Sequence, residues 1–203
     1  MIAIVDYGVG NLFSLSSSVQ SLGAEVCVTG RAQDLRAASH ILLPGVGAFA
    51  DAMAKLEGTG LIPVLKEEAA RKPLLGICLG MQLLFERSYE YGEHRGLGLL
   101  KGEVIGMDGT LPAGLDIPQI GWNALHKTGP SRILANTAEG EHVYFVHSYY
   151  ASGCGDSLAA TTEYGLELTA AVEKANVCGC QFHPEKSGAV GLGILRAFCA
   201  MEG

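Results

Sequence analysis

The chain contains a single tryptophan, no Cys-x-x-Cys pair, no cluster of basic side chains, no Gly-x-Gly-x-x-Gly or Gly-x-x-x-x-Gly-Lys-Ser/Thr loop, and no apolar run of membrane-spanning length. Each absence removes a class of function. The six cysteines, Cys27, Cys78, Cys154, Cys178, Cys180 and Cys199, lack paired spacing and are expected to be reduced thiols rather than disulfide staples. Lys and Arg number 14 against 21 Asp and Glu, a formal charge of -7. That balance argues against nucleic acid as a partner, because phosphate contacts need clustered cations. The missing glycine fingerprints exclude a dinucleotide turn and a P-loop. No stretch reaches the roughly 18 apolar residues of a membrane span, and the first 30 residues hold no Lys or Arg that would mark a signal or transit peptide. A cytoplasmic protein that does not engage membranes is the expectation.

What the sequence does have is apolar material, 48% of 203 residues, and 28 glycines without a triplet period. This length suits one domain, 1–203, with many tight turns. Ile2 to Val5 is an apolar run closed by Asp6-Tyr7-Gly8, after which Leu12, Leu15, Val19 and Leu22 recur at helical spacing up to Gly23. The alternation repeats. Residues 25–29 and 41–43 read as strands, 50–56 and 61–71 as helices, 74–77 as a strand and 80–86 as a helix. Strands alternating with helices predict an α/β fold with a doubly wound, mostly parallel sheet flanked by helices. From Gly96 the runs shorten, at Val104-Ile105, 117–125, 143–146 and 158–162, predicting some antiparallel strands in the second half. The segment 191–201 reads as a closing helix with Leu192, Leu195 and Cys199 on one face.

Three segments can carry chemistry. Gly76-Ile77-Cys78-Leu79-Gly80 stands where a strand turns into a helix and has the form of a nucleophile elbow, whose strained turn exposes a side chain above the sheet. A thiolate there would gain from the helix N-terminus; an inert core thiol is the alternative. His183-Pro184-Glu185 can supply a base and its orienting carboxylate, since residues two apart in an extended segment point the same way. By itself it could equally be a surface turn. Pro44-Gly45-Val46-Gly47-Ala48-Phe49 follows a strand, and backbone N–H groups around Val46, with that of Leu79, could face a developing oxyanion, or form a plain turn. Cys178-Gly179-Cys180 and His183 offer three soft ligands but no fourth, so no metal is expected. His142 and His147 do not share a face as a ligand pair, although Tyr144 to Tyr149 could line a polar small-molecule site.

On these residues the chain resembles the class I (triad) glutamine amidotransferases: Gly76 to Gln82 stands as Gly-x-Cys-Leu-Gly-Met-Gln and Gln181 to Ser187 as Gln-Phe-His-Pro-Glu-Lys-Ser. Within that family, Asp6 to Asn11, Pro44 to Phe49, Ile120 to Asn123 and Tyr144 to Tyr150 resemble the glutaminase subunits of imidazole glycerol phosphate synthases of histidine biosynthesis. The resemblance implies that Cys78 attacks the glutamine carboxamide, His183 carries the proton and Glu185 holds His183. It places the oxyanion donors at Leu79 and in Gly45, Val46 and Gly47, the latter presented only with the partner bound. It assigns glutamine's amino-acid end to Gln82, His147, Ser148 and Tyr149. It further implies a heterodimer with a (β/α)8-barrel cyclase subunit that receives the ammonia and makes imidazole glycerol phosphate and aminoimidazole carboxamide ribotide. Asn11, Trp122, Tyr144 and Lys186 match positions near that interface, and no cofactor is implied.

Two other functions compete: a glutaminase serving another synthase, and a noncatalytic flavodoxin-like thiol protein. The second has no use for a His-Pro-Glu pair. A Cys-His pairing also predicts activity that rises as a group near neutrality loses its proton and then levels off.

Overall fold

The computed structural model describes residues 1–202. The first half alternates as expected: β1 (Ile2–Val5), α1 (Leu12–Ser21), β2 (Val26–Thr29), α2 (Ala32–Ala37), β3 (His40–Leu43), α3 (Phe49–Gly58), α4 (Ile62–Ala69), β4 (Leu74–Ile77) and α5 (Leu79–Gln82). The second half is strand-rich, with β5 (Arg87–Ser88), β6 (His94–Arg95), β7 (Glu103–Gly106), β8 (Gln119–Ala124), β9 (His126–Lys127), β10 (His142–His147), β11 (Tyr149–Ser152), β12 (Leu158–Glu163), β13 (Glu167–Lys174) and β14 (Val177–Cys180) before the closing α6 (Gly188–Cys199).

The main sheet has eight strands in the order β2-β1-β3-β4-β14-β13-β12-β9. Strands β2 through β14 in that order run parallel and the last three are added antiparallel. The chain leaves β1 on one side to make β2 and returns on the other to make β3, so the order reverses there, and a ligand crevice is expected beyond the carboxyl ends. The inner parallel strands β1, β3, β4 and β14 are buried along their whole length because both faces are covered, whereas the edge strand β2 is partly exposed at Val28. Val5, Ile41 and Leu43 point into one buried layer with α3 and α4, while Ile4, Leu42, Leu75 and Ile77 point into the other with α1 and α6. A two-stranded ribbon, β10-β8, and a four-stranded sheet, β11-β7-β5-β6, stand over the carboxyl end of the main sheet.

Local chemistry explains where elements end, and tertiary contacts explain the departures. Asn11 Oδ1 accepts from Ser14 N–H at 3.2 Å and starts α1. The helix expected over 80–86 stops after one turn. Leu84 and Phe85 N–H groups bond only three residues back, and the carbonyls of Leu83, Leu84 and Phe85 are taken by N–H groups of Leu97 to Leu100. A further helical turn would need those acceptors. Helix α2 has no strong periodic signal in its sequence, yet Lys72 Nζ donates to the carbonyls of Leu35, Arg36 and Ala38 at 3.2, 2.8 and 2.7 Å and satisfies its C-terminus from outside. In α6 the buried face is Ile194, Leu195 and Phe198; Leu192 and Cys199 are half-buried, so the expected face is rotated toward residues 194 and 198.

Candidate active site

The segments after β3, β4 and β14, together with β11 and the turn after β5, wall a cavity of about 680 Å³, in the range of small-molecule sites. Cys78 stands at its floor. This residue has φ 54 and ψ -114, a conformation costly for a side chain with a Cβ, and such strain persists only where its surroundings enforce it. The enforcement is visible. A Cβ on Gly80 would overlap the Leu43 carbonyl and one on Gly76 would meet the Gly80 backbone, so only glycine lets the elbow press against β3 and β4. The Cys78 N–H donates to the Cys180 carbonyl at 2.7 Å, which ties the elbow to β14.

Strand β14 leads directly to His183. Its Nδ1 shares a 2.8 Å hydrogen bond with Glu185 Oε1, and both side chains are buried. The pairing expected for an extended segment is present, but the backbone reaches it differently: His183 is extended and Pro184–Lys186 form a 3₁₀ turn that swings the carboxylate back under the ring. Ser187 clamps this turn, its Oγ donating to the His183 carbonyl at 2.7 Å and accepting from the Tyr144 N–H at 3.0 Å. Burial alone lowers the His183 pKa, but its interactions with Cys78 and Glu185 outweigh that and push it up to about 9. The aligned polar neighbours of the Cys78 sulfur are Gln181 Nε2 at 3.8 Å and the Val146 carbonyl at 4.0 Å. The His183 imidazole lies close to the same sulfur.

Gly45 to Gly47 follow β3 beside the elbow. Tyr7 OH donates to the Pro44 carbonyl at 2.7 Å, and burial holds that phenol well above its ordinary pKa. Val46 is 46% exposed and lines the cavity with Gly47, whereas Gly45 faces a second void. That void, about 10 Å³, also adjoins Asn11, His183 and Glu185 and is the size of one water; Glu185 Oε2 is buried without a partner.

Gln82, His147, Ser148 and Tyr149 all line the cavity. The Tyr149 carbonyl accepts from Gln82 Nε2 and from His147 Nδ1, each at 2.9 Å. Burial depresses His147 to about 4, with the neighbouring His183 adding to the effect, so this ring is neutral. His142 lies exposed at the other end of β10, apart from it. Trp122, Tyr144 and Lys186 form one patch beside the cavity. Trp122 is 53% exposed and edge-on to Tyr144 at 6.0 Å, and Lys186 Nζ sits 5.9 Å from the Tyr144 ring centre. Neither aromatic ring belongs to the core. Cys178 and Cys180 are fully buried in β14, where burial raises both thiols far above their usual range. They read as core side chains.

Glu90 carried no signal in the sequence. It lies in the turn between β5 and β6, is buried, lines the cavity and accepts from the Phe49 N–H. No motif surrounds it, and only the folding of that turn over the cavity brings its carboxylate to the site.

The fold and this constellation define a protein class. Residues 3–200 match the model of the glutamine amidotransferase class-I family, and the chain belongs to that family. The chain is 47% identical over 203 residues to imidazole glycerol phosphate synthase subunit HisH of Caldanaerobacter subterraneus subsp. tengcongensis, covering 99% of this chain and 98% of that one. It is 50% identical over 200 residues to the HisH subunit of Desulfitobacterium hafniense, covering 98% and 93%. Among solved structures, PurLQS from Thermotoga maritima shares the fold with a TM-score of 0.76 at 21% identity, over 98% of this chain and 96% of that one.

Proposed function

We propose that the chain, acting as one amidotransferase domain in the cytoplasm, is the glutaminase subunit of imidazole glycerol phosphate synthase in histidine biosynthesis. It hydrolyses glutamine to glutamate and ammonia and passes the ammonia to a cyclase subunit. The observation that carries this reading is the strained Cys78 elbow beside the buried His183–Glu185 pair, in a chain similar to HisH subunits over nearly its full length.

Cys78 sulfur attacks the carboxamide carbon, forming the C–S bond and moving the carbonyl electrons onto oxygen. The Leu79 N–H, at the first position of α5 and so without an intrahelical acceptor, faces that oxyanion, and Val46 and Gly47, which line the cavity as Gly45 does not, supply the second donor once the partner is bound. His183, protonated at neutral pH, gives its proton to the departing nitrogen as the C–N bond breaks, and ammonia leaves. The now neutral imidazole takes a proton from water as it adds to the thioester. Collapse then breaks the C–S bond, releasing glutamate and restoring the sulfur and the charged ring. Glu185 keeps one tautomer and orientation throughout. Gln82, His147, Ser148 and Tyr149 receive the amino-acid end of glutamine, and the buried Glu90 side chain offers oxygen acceptors for its α-amino group.

The partner is a (β/α)8-barrel cyclase chain, and the patch of Asn11, Trp122, Tyr144 and Lys186 is the face that meets it. Glutamate release from glutamine by the purified chain, alone and then with the cyclase subunit and its ribotide ligand, tests both parts. A rise of orders of magnitude on adding the cyclase is expected. A high rate indifferent to the cyclase would overturn the partner, and no turnover in either case would overturn the chemistry.

A further inference from the structure

Two polar groups align with the Cys78 sulfur, and they differ in kind. The Val146 carbonyl, at 4.0 Å, can only accept the thiol proton, while Gln181 Nε2, at 3.8 Å, can only donate. Ionisation of the thiol removes the first interaction and strengthens the second. The identity of the group facing the sulfur therefore decides which form of the cysteine is favoured.

An amide can present either its oxygen or its nitrogen, and here the choice is made two side chains away. The Tyr149 carbonyl cannot donate, so Gln82 turns its NH₂ toward it, at 2.9 Å. The same NH₂ donates to Gln181 Oε1 at 3.0 Å. Gln181 then has only its own NH₂ left for the sulfur. Flipping Gln181 would set NH₂ against NH₂ at Gln82 and oxygen against sulfur at Cys78. Gln181 is fully buried and Gln82 nearly so, so water cannot repair the mismatch at Gln82. Gln181 and His183 stand two apart where β14 runs out, which lets one segment address the sulfur with both side chains.

We propose that Gln181, locked in one amide orientation by Gln82 and the Tyr149 carbonyl, is a catalytic residue that donates a hydrogen bond to the Cys78 sulfur and stabilises it as thiolate, before attack and again when it leaves the thioester. The inference rests on Cys78 being the nucleophile of the proposed function.

The test is alkylation by iodoacetamide across a pH series on the full chain, read at Cys78 by peptide mass spectrometry so that Cys27 and Cys199 do not interfere. Gln181→Met keeps the length and loses the donor; Gln181→Glu keeps the shape, still accepts from Gln82 and turns an acceptor toward the sulfur. Thermal unfolding checks that both remain folded. At pH 7 the methionine variant is expected to alkylate about tenfold more slowly and the glutamate variant more slowly still, with midpoints displaced upward by about one pH unit from the parent. In the complex with the cyclase, kcat for glutamine falls while KM stays within about twofold. A folded methionine variant with the parent's rate and midpoint overturns the proposal. A parent that is alkylated normally but releases no glutamate even with the cyclase overturns the functional reading instead. If neither variant folds, the ¹⁵N-labelled side-chain amide of Gln181 in the parent decides: its signals are expected to shift with pH in step with Cys78 alkylation, and signals that stay fixed overturn the inference.

Discussion

At the scale of single residues, two buried histidines respond to proximity in opposite directions. His183 is held above its ordinary 6.5, up to about 9, because Cys78 and Glu185 outweigh the burial that would lower it, and so it is a proton donor through neutrality. The sequence alone suggested activity that rises as a group near neutral pH loses its proton and then levels off; the raised His183 adds a limb on the alkaline side. Turnover is expected to fall as pH passes about 9, and in Glu185→Gln this limb shifts to lower pH with kcat reduced about 10²- to 10⁴-fold. A pH–rate profile of the complex measures both. Cys78→Ser is expected to remove turnover by about three orders of magnitude or more, with thermal unfolding and cyclase binding unchanged. The linkage signs are opposite as well. His183, raised in the fold, contributes stability that is fully present below pH 6.5 and lost as pH rises through about 9. His147, depressed to about 4, contributes stability present above 6.5 and lost as pH falls through about 4. Replacing His147 with Gln, which can still donate to the Tyr149 carbonyl, is expected to flatten the acid side of a plot of melting temperature against pH; an unchanged slope would contradict the assignment.

At the scale of elements, the elbow is a junction of three backbones. The glycines that permit it are fixed by lack of space for a side chain, whereas Gly193 is not. A Cβ on Gly80 would overlap the Leu43 carbonyl, backbone that cannot step aside, while one on Gly193, in the middle of α6, meets nothing within 4 Å. Gly80→Ala is therefore expected to cost about 3 kcal/mol or more, and Gly193→Ala to stabilise by about 0.5–1 kcal/mol. Urea unfolding of the two variants checks the contrast, and similar midpoints would refute it. The elbow was legible because its requirement is local: strand, glycine, nucleophile, glycine. The premature end of α5 was not, since Leu83 to Phe85 continue an apolar run whose carbonyls are claimed by a segment arriving later in the chain. Helix α2 was hidden for the same reason, its C-terminus being completed by Lys72.

At the scale of the whole molecule, residues far apart in sequence come together beside the cavity and the small void next to it. Trp122 and Tyr144 face each other across the β8–β10 ribbon, Lys186 arrives from the turn after β14, and Asn11 adjoins Glu185 through a void. That patch borders the cavity, so a partner seated on it would adjoin the site where ammonia is released. Replacing Trp122 with Ala is expected to weaken cyclase binding about tenfold or more while leaving the chain's melting temperature within about two degrees; calorimetric titration and thermal unfolding measure the two, and unaltered affinity would place the interface elsewhere. The sequence by itself determined the alternating parallel core, the elbow cysteine and the His-Pro-Glu pair, because hydrophobic period, strained turns and adjacent side chains are short-range properties. Only the tertiary structure decided that Glu90 enters the cavity, that Gln181 turns its NH₂ to the sulfur, and that His183 keeps its proton to about 9. Each depends on distance and burial among groups the chain brings together only once it is folded.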